Sequence, residues 1–393
     1  MWRKIGMGIG GLLAVATAAF FALAPAYVER AQNGVEPLAK PPSPAAQAMH
    51  DLLVIGDWHA DTLLWDRDLT MRADRGHVDL PRLREGNVAV QVFTTVTKSP
   101  SGLNYDQNSA EARDDITLLV MGQLRPPRTW FDLTERALDQ AARLTATAEA
   151  APDQLRILRT RGDLVQLLTD RAAGARVVGG LIGAEGGHAL QGDMAKFDRL
   201  YEAGFRLMGL THFFDNELGG SLHGDSGGSG AGTGLTPFGR AVVQEMQKRG
   251  MVIDLAHAAP QMVRDVLAMP GTRPIVSHTG IYSHCKSHRN LPDDLMQAIA
   301  AKGGVIGIGF WADVTCDASP DGVAAAILAA VALVGADHVS LGSDFDGAVT
   351  TGFDASQLAS LTDALLRAGL HPDVIAKVMG GNMMRYLAET LPE

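Results

Sequence analysis

The chain has 393 residues, of which 46% are hydrophobic and 20% are charged, a composition typical of a globular protein with a large core. Its 34 Lys and Arg residues and 44 Asp and Glu residues give a formal net charge of −10. Because the chain is net acidic and has no Lys/Arg-rich run, the sequence argues against a nucleic acid as a partner.

The N-terminal residues predict export. Arg3 and Lys4 form a short basic region, residues 5–26 contain no charged side chain, and Ala24-Pro25-Ala26 is a candidate cleavage site of small residues. The same apolar run is long enough to cross a bilayer as an uncleaved anchor. We therefore expect residues 1–30 to be a signal peptide or membrane anchor. The remainder would be periplasmic, secreted or membrane-anchored outside the cytoplasm.

Residues 31–48 contain four prolines and predict an extended linker ahead of a globular part over residues 49–393. The chain has only two cysteines, Cys285 and Cys316, which excludes a disulfide framework. One bridge between them stays open, but the sequence favours two unpaired thiols.

Eight short apolar runs after residue 49 predict strands. They are 52–57, 88–95, 177–184, 205–210, 250–255, 274–277, 303–310 and 338–343. Most are continuous rather than alternating, which is typical of parallel strands covered by helices on both sides. Helical patterns lie between them; Thr236, for example, can cap a helix that has Pro237 at its first position. The alternation predicts a (β/α)8 TIM-type barrel.

Two segments interrupt the alternation. Residues 97–176 are too long for one loop between a strand and a helix, so we expect an insertion with extra helices. Residues 219–235 are rich in Gly and Ser. They predict either a solvated connector or a lid over a site, and the sequence leaves the two open.

Acidic residues and histidines follow six of the eight predicted strands. These residues are His59, Asp61, Glu185, His212, His257, His278 and Asp344. Each alone would more often be structural, but the carboxyl ends of barrel strands meet around one mouth, so the side chains should converge. Their composition is that of a binuclear metal site. Imidazole and carboxylate ligands favour zinc, with manganese, iron and cobalt left open.

Seven motifs in register give a family resemblance. DWHAD, GAEGGHAL, GLTHF, VIDLAH, IVSHTG, SHRNLPDD and LGSDFDG, in this order, resemble the renal (membrane) dipeptidase family of metallopeptidases. GHVDLPRLREGNVAVQVF and GLTPFGRAVVQEMQKRGMVIDLAH are similar to its bacterial branch. The resemblance covers roughly residues 50–390. It implies a dipeptide as the substrate and two divalent metal ions.

The resemblance also implies a role for each site residue. His59 and Asp61 would bind one metal ion, His257 and His278 the other, and Glu185 would bridge the two. His212 and Arg289 would contact the substrate. Asp344 would contact the substrate amine and transfer protons. An oxyanion can accept a hydrogen bond from His212, and the planar fork of Arg289 matches a free carboxylate.

Two stretches depart from the family pattern. Trp58 stands where the family usually has a small residue, beside a metal ligand, so the resemblance does not predict the pocket shape there. Cys285-Lys286-Ser287 replaces a more proline-rich stretch before Arg289, so the resemblance does not fix the position of the carboxylate contact.

The leading hypothesis is hydrolysis of dipeptides, including those with a D-residue at the second position. One alternative keeps the metal site but takes N-acyl amino acids, β-lactams or other small amides. Another is a catalytically silent binding protein in the envelope. A homodimer and anchoring through residues 5–26 are compatible with the sequence.

Overall fold

The computed structural model describes residues 18–21, 23–225 and 234–393. Its described residues contain a parallel sheet of nine strands. The strands are β1 (Ile55–Ala60), β2 (Val88–Thr95), β3 (Leu155–Ile157), β4 (Val178–Ala184), β5 (Phe205–Gly209), β6 (Val252–Asp254), β7 (Val276–Thr279), β8 (Ile306–Ile308) and β9 (Val339–Leu341).

Eight of these strands close into a barrel. Their order is β6-β5-β4-β2-β1-β9-β8-β7, and the two ends of this row meet. Leu255 donates its backbone N–H to Ile275 at 2.9 Å, and Ile275 donates to Ile253 at 2.9 Å. β3 lies outside the ring and pairs only with β4. The TIM-type barrel predicted from the alternation of strands and helices is therefore confirmed.

Helices surround the barrel. They are α1 (Pro44–His50), α2 (Leu80–Glu85), α3 (Asp115–Gly122), α4 (Leu133–Ala150), α5 (Arg161–Ala172), α6 (Met194–Glu202), α7 (Pro237–Arg249), α8 (Pro260–Ala268), α9 (Asp293–Ala301), α10 (Ala312–Thr315), α11 (Pro320–Val334), α12 (Ala359–Arg367), α13 (Pro372–Ala376) and α14 (Asn382–Thr390). As the sequence predicts, Thr236 caps α7 by accepting a hydrogen bond from the N–H of Gly239.

Every predicted strand exists, but the first is shifted by three residues, from 52–57 to Ile55–Ala60. Leu52 and Leu53 do not extend the strand, because their N–H groups bond back to the carbonyls of Met49 and His50 at the end of α1. The shift places His59 inside β1. The segment 97–176 contains α3, α4 and α5, and also the short β3, which the sequence analysis missed.

The two cysteines form a disulfide, so the prediction of two unpaired thiols is wrong. Cys285 and Cys316 are separated by 31 residues, and their Cα atoms lie 5.5 Å apart. The chain leaves β7, runs through α9 and returns along the neighbouring strand β8. Both loops therefore emerge at the same end of the barrel. This neighbourhood is a property of the fold that spacing alone does not reveal.

Near the N-terminus, residues 23–32 are helical, and Val35 forms an isolated parallel bridge with Thr351. Within the described ranges, no helix combines the length and hydropathy needed to cross a membrane. Most of the predicted apolar run 5–26 lies outside those ranges. The division of the chain at residues 30 and 48 stays a prediction.

In the Gly/Ser-rich segment 219–235, residues 226–233 also lie outside the described part, so the choice between connector and lid stays open.

Candidate metal centre and active site

The barrel brings together all eight residues for which the sequence analysis predicted a role. Seven of them lie at the carboxyl ends of strands, and Arg289 lies on the loop between β7 and α9. All are buried, with 7% or less of each residue exposed. The residues are His59, Asp61, Glu185, His212, His257, His278, Arg289 and Asp344.

Glu185 is the centre of the cluster. Its Oε1 lies 3.4 Å from Nε2 of His59, 3.3 Å from Nε2 of His257 and 3.5 Å from Nε2 of His278. Its Oε2 lies 3.4 Å from Nε2 of His212. One carboxylate thus faces four imidazoles that come from four different strands, which is the geometry expected of a shared ligand.

Two further carboxylates face His59. Its Nε2 lies 3.4 Å from Oδ1 of Asp61 and 3.9 Å from Oδ1 of Asp344. The hydroxyl of Thr94, on β2, donates a hydrogen bond of 2.6 Å to the same oxygen of Asp61. Asp61 is therefore oriented by the neighbouring strand rather than by its own loop.

Hydrogen bonds behind the cluster orient the histidine rings. The Ser277 hydroxyl donates to Oδ2 of Asp254 at 2.6 Å and lies 2.8 Å from Nδ1 of His278. Because the hydroxyl proton is used on Asp254, Ser277 is free to accept the Nδ1 proton of His278. That tautomer leaves the Nε2 lone pair of His278 aimed at Glu185, the arrangement that metal-binding histidines use.

The donor set fits divalent transition-metal ions. Three overlapping groups each bring three ligand atoms within 4.8 Å of one another. The groups are His59 with Glu185 and His278, Glu185 with His212 and His257, and His59 with Asp61 and Asp344. In addition, Nε2 of His59 is buried without a hydrogen-bond partner, and Nε2 of His257 lies 3.1 Å from Nε2 of His278. Nitrogen lone pairs that face one another in a buried site suit a bound cation.

Burial and neighbouring charges set the protonation states in the cluster. Burial lowers the pKa of His257 well below its ordinary value, and the charge of Arg289 acts in the same direction. Burial likewise lowers the pKa of His278. Burial alone would raise the pKa of Glu185, but the charge of His212 and His59 holds it well below its usual range. The ionised carboxylate of Glu185 therefore faces the neutral imidazoles of His257 and His278, while the carboxylates of Asp61 and Glu185 raise the pKa of His59.

Two of the buried side chains sit on strained backbone. His257 has φ of +61° and Asp344 has φ of +60°, a left-handed conformation that residues other than glycine seldom adopt. Such conformations persist where the surroundings enforce them, and they concentrate at functional sites. Here they turn the two side chains toward the mouth directly after β6 and β9.

Arg289 reaches the cluster despite the departure in the residues before it. Its Nη2 lies 3.0 Å from Nε2 of His257 and donates to the carbonyl oxygen of His278 at 3.2 Å. The disulfide of Cys285, four residues earlier, ties the middle of this loop to the loop after β8. The residues that replace the proline-rich stretch therefore still allow Arg289 to reach the cluster.

A cavity of about 320 Å³ opens onto the cluster. The aromatic residues Tyr105 and Phe213 line it together with an apolar wall. That wall includes Leu64, Val96, Leu103, Ile116, Leu119 and Val349. The hydroxyl of Tyr105 accepts a hydrogen bond of 3.1 Å from the indole of Trp311, and burial raises the pKa of Tyr105 to about 12. The sequence analysis missed Tyr105, because an aromatic side chain in an inserted loop has no periodic signal.

Three other residues lie near the cluster or behind it. His223 is buried, with Nδ1 2.9 Å from the carbonyl of Tyr105 and its ring stacked on Phe213. His188 is 2.8 Å from the hydroxyl of Thr97. Trp58 packs against Tyr386 in an apolar cluster behind the barrel, so it does not shape the cavity.

Comparisons with known proteins define the class. A TIM-type barrel with imidazoles and carboxylates at the mouth is typical of metal-dependent hydrolases. Residues 44–391 match the model of the membrane dipeptidase family, peptidase family M19. The chain belongs to this family and is a metal-dependent dipeptidase. The predicted fold class and activity are thereby confirmed.

Individual relatives agree with this membership. The chain is 29% identical over 350 residues to dipeptidase tcpJ of Claviceps purpurea, covering 87% of this chain and 75% of that protein. It is 29% identical over 362 residues to dipeptidase aclJ of Aspergillus oryzae, covering 85% and 77%. Two solved structures share the fold. One is the probable dipeptidase PvdM of Pseudomonas aeruginosa, which matches with a TM-score of 0.73 and 19% identity. The match covers 88% of this chain and 98% of that one. The other is a metallo peptidase of Rhodobacter sphaeroides liganded with a phosphinate mimic of L-Ala-D-Ala. It matches with a TM-score of 0.69 and 22% identity, over 86% of this chain and 99% of that one.

Proposed function

We propose that this dipeptidase uses two zinc ions and selects dipeptides by both of their charged ends. The observation behind the proposal is the position of Glu185, whose two carboxylate oxygens each lie within hydrogen-bonding range of imidazole nitrogens from separate strands. A carboxylate placed in this way can bridge two ions. His59 and Asp61 would complete one site, and His257 and His278 the other.

The charge of the cluster supports bound cations. Five buried carboxylates lie in or directly behind the cluster, and Arg289 is a buried cationic side chain beside them. The carboxylates belong to Asp57, Asp61, Glu185, Asp254 and Asp344. Buried charge must be paired or neutralised, and bound divalent cations would supply positive charge beside these carboxylates.

The chain's own residues would handle the substrate around this centre. The metal ions, when bound, would polarise the scissile amide and lower the pKa of the attacking water. His212, beside Glu185, would donate a hydrogen bond to the oxygen that becomes negative as the amide carbon turns tetrahedral. Asp344 would hold the proton released by the water and pass it to the leaving amine.

The ends of the substrate would be recognised by opposite charges. Arg289 would bind the free carboxylate through two parallel hydrogen bonds, and Asp344 would accept from the free amine. A dipeptide presents both groups at fixed separation. An N-acyl amino acid presents only the carboxylate. The dipeptide mimic with a D-residue at the second position, bound by the Rhodobacter sphaeroides relative, supports a similar tolerance here.

Hydrolysis of a dipeptide library of mixed chirality, with metal content measured on the same protein, tests this function. We expect two zinc ions per chain after reconstitution, and cleavage of dipeptides well above N-acyl amino acids and dipeptide amides. Equal rates on dipeptides and N-acyl amino acids would favour a broader amidase. One ion or none per chain would contradict the binuclear centre, and a metal-loaded protein inactive on every amide would favour a binding protein.

We also propose that the chain is exported. The support is the uncharged run of residues 5–26 after Arg3 and Lys4, together with the Cys285–Cys316 disulfide, since disulfides persist mainly in oxidising compartments. Fractionation of cells that express the native gene should place the protein in the membrane, periplasmic or secreted fraction. Recovery in the cytoplasm with both thiols free to alkylation would contradict export.

A further inference from the structure

The segment immediately after the apolar run is attached to the mouth of the barrel. Residues 28–36, here called the N-terminal strap, hydrogen-bond to the loop after β9. Thr351 donates its N–H to the carbonyl of Gly34 at 3.0 Å, and Glu36 donates to the carbonyl of Thr351 at 2.8 Å. Ala348 donates its N–H to Oδ1 of Asn33 at 2.9 Å. This loop also carries Asp344, so the strap is bonded to the same loop that supplies an active-site residue.

A buried ionic network holds the strap in place. Glu29 is 1% exposed; it forms ion pairs with Arg67 and, at 2.7 Å, with Arg75. Arg67 also pairs with the buried Asp346, two residues after Asp344. A carboxylate buried between two guanidinium groups is costly to release, because its removal leaves both cations without their partner. The strap is therefore a fixed part of the fold and not a flexible leader.

The strap contributes directly to the substrate cavity. Val28 and Gln32 line it together with Asp344 and the adjacent residues 347–349. Val28 is 37% exposed and therefore lies at the rim, where a side chain can change without disturbing the core. Around it the cavity wall is apolar, with Leu64, Ile116 and Leu119 from the barrel and α3.

We propose that the N-terminal strap is a specificity element, and that Val28 and Gln32 select the side chain of the dipeptide's amino-terminal residue. This inference rests on the proposed function, which places the substrate amine at Asp344 and its carboxylate at Arg289. The strap contacts the loop that carries Asp344, so it lies at the amine end of the substrate. The apolar character of the wall matches an apolar first residue.

Val28→Trp tests the proposal, with Val165→Trp as its matched control. Val165 is 55% exposed on α5, away from the cavity lining, so its replacement adds the same bulk without narrowing the site. One substrate series varies the first residue (Gly, Ala, Leu, Phe) before a constant alanine. A second series varies the second residue after a constant alanine. All are assayed on the metal-loaded full-length chain.

We expect Val28→Trp to lower kcat/KM for Leu- and Phe-first dipeptides by about tenfold or more relative to Gly-first, since bulk would fill the space for that side chain. The second series should keep its wild-type ratios, and the metal content should not change. Val28→Ala should shift the first series the opposite way, toward larger residues. Val165→Trp should match the wild type in both series.

The outcomes separate this inference from the proposed function. If the metal-loaded wild type cleaves no dipeptide, the proposed function fails and the strap's role fails with it. Suppose that the wild type is active and that Val28→Trp lowers kcat/KM equally for all substrates, or alters kcat/KM only in the second series. The strap then does not select the first residue of the dipeptide. In that case the proposed function stands and this inference is overturned.

Discussion

Arg289 and His257 contact each other at the centre of the site, with Nη2 of the arginine 3.0 Å from Nε2 of the histidine. The same histidine nitrogen lies 3.3 Å from Glu185. While the Nε2 lone pair of His257 accepts a hydrogen bond from Arg289, it is not available to bind a metal ion. Metal loading should therefore release the Arg289 donors, and a substrate carboxylate is the partner they would take next.

The carboxylate contact predicts the effect of Arg289→Lys and Arg289→Met. Loss of the fork beside a buried carboxylate should cost about 2–5 kcal/mol, or about 30-fold to several thousandfold in kcat/KM for dipeptides. Arg289→Lys should recover little of the kcat/KM that Arg289→Met loses, since lysine keeps the charge but not the bidentate geometry. Metal content, measured on the same samples, should be unchanged. Dipeptide amides are the control: they lack the carboxylate and should lose little further, whereas equal losses on both substrates would contradict the contact.

The bridging role proposed for Glu185 predicts that Glu185→Gln lowers occupancy at both proposed metal sites together. An amide retains the shape of the side chain but loses the charge that attracts two cations. Elemental analysis over a zinc titration should show a joint loss rather than one tight and one weak ion. Glu149→Gln, at an exposed position of α4, is the control and should bind as the wild type does. Retention of one full equivalent by Glu185→Gln would mean that Glu185 is not shared.

The disulfide predicts a linked effect on stability and substrate binding. Replacing Cys285 and Cys316 by serine opens a 31-residue connection and should lower the free energy of unfolding by about 3 kcal/mol. It should also raise KM for dipeptides, because the loop that holds Arg289 loses its covalent tie to the loop after β8. Urea unfolding and kinetics on dipeptides and their amides measure the two effects. A change in stability without any change in KM would show that the loop holds its shape unaided.

Acid sensitivity is predicted at Asp363, where α12 meets the start of α1. Hydrogen bonds from Arg367 at 2.8 Å and from the N–H of Ser43 at 3.1 Å lower the pKa of Asp363 to about 2. Because the pKa in the folded chain lies below the ordinary value of about 4, this side chain stabilises the fold above about pH 4. That contribution is lost as the pH falls toward 2.

Asp363→Asn should therefore reduce stability at pH 7 and make it less dependent on pH between 4 and 2. Urea unfolding of the metal-free chain at several pH values measures this, since metal loss would otherwise dominate in acid. Asp153→Asn, a change at an exposed loop position, is the control. Parallel curves for the wild type and Asp363→Asn would contradict a role for this carboxylate in acid unfolding.

The sequence predicted the barrel and the cluster because both follow from strand ends. Glu185, His212 and His257 each come a few residues after an apolar run, and a parallel barrel brings such positions to one mouth. The Cys285–Cys316 bridge was missed although both cysteines follow consecutive strands, because strand order brings two loops to one mouth without fixing how closely they approach. Tyr105 lacked any positional signal within the insertion. In the sequence, Glu29 looks like an ordinary charged residue after an apolar run. Its partners Arg67 and Arg75 lie on a loop far along the chain, so the sequence does not indicate that Glu29 is buried in an ion pair.

The location of the N-terminal strap bears on how this enzyme should be produced for study. The family match begins at residue 44, so a chain trimmed to that boundary would retain the metal ligands yet lose residues 28–36. Its mouth would be wider than the native one, and its substrate profile would describe a different pocket. Cleavage after Ala26, in contrast, would start the mature enzyme at Tyr27 and keep the strap whole. An affinity tag is accordingly better placed at the carboxyl end, since one fused just ahead of Val28 would project over the entrance through which dipeptides arrive.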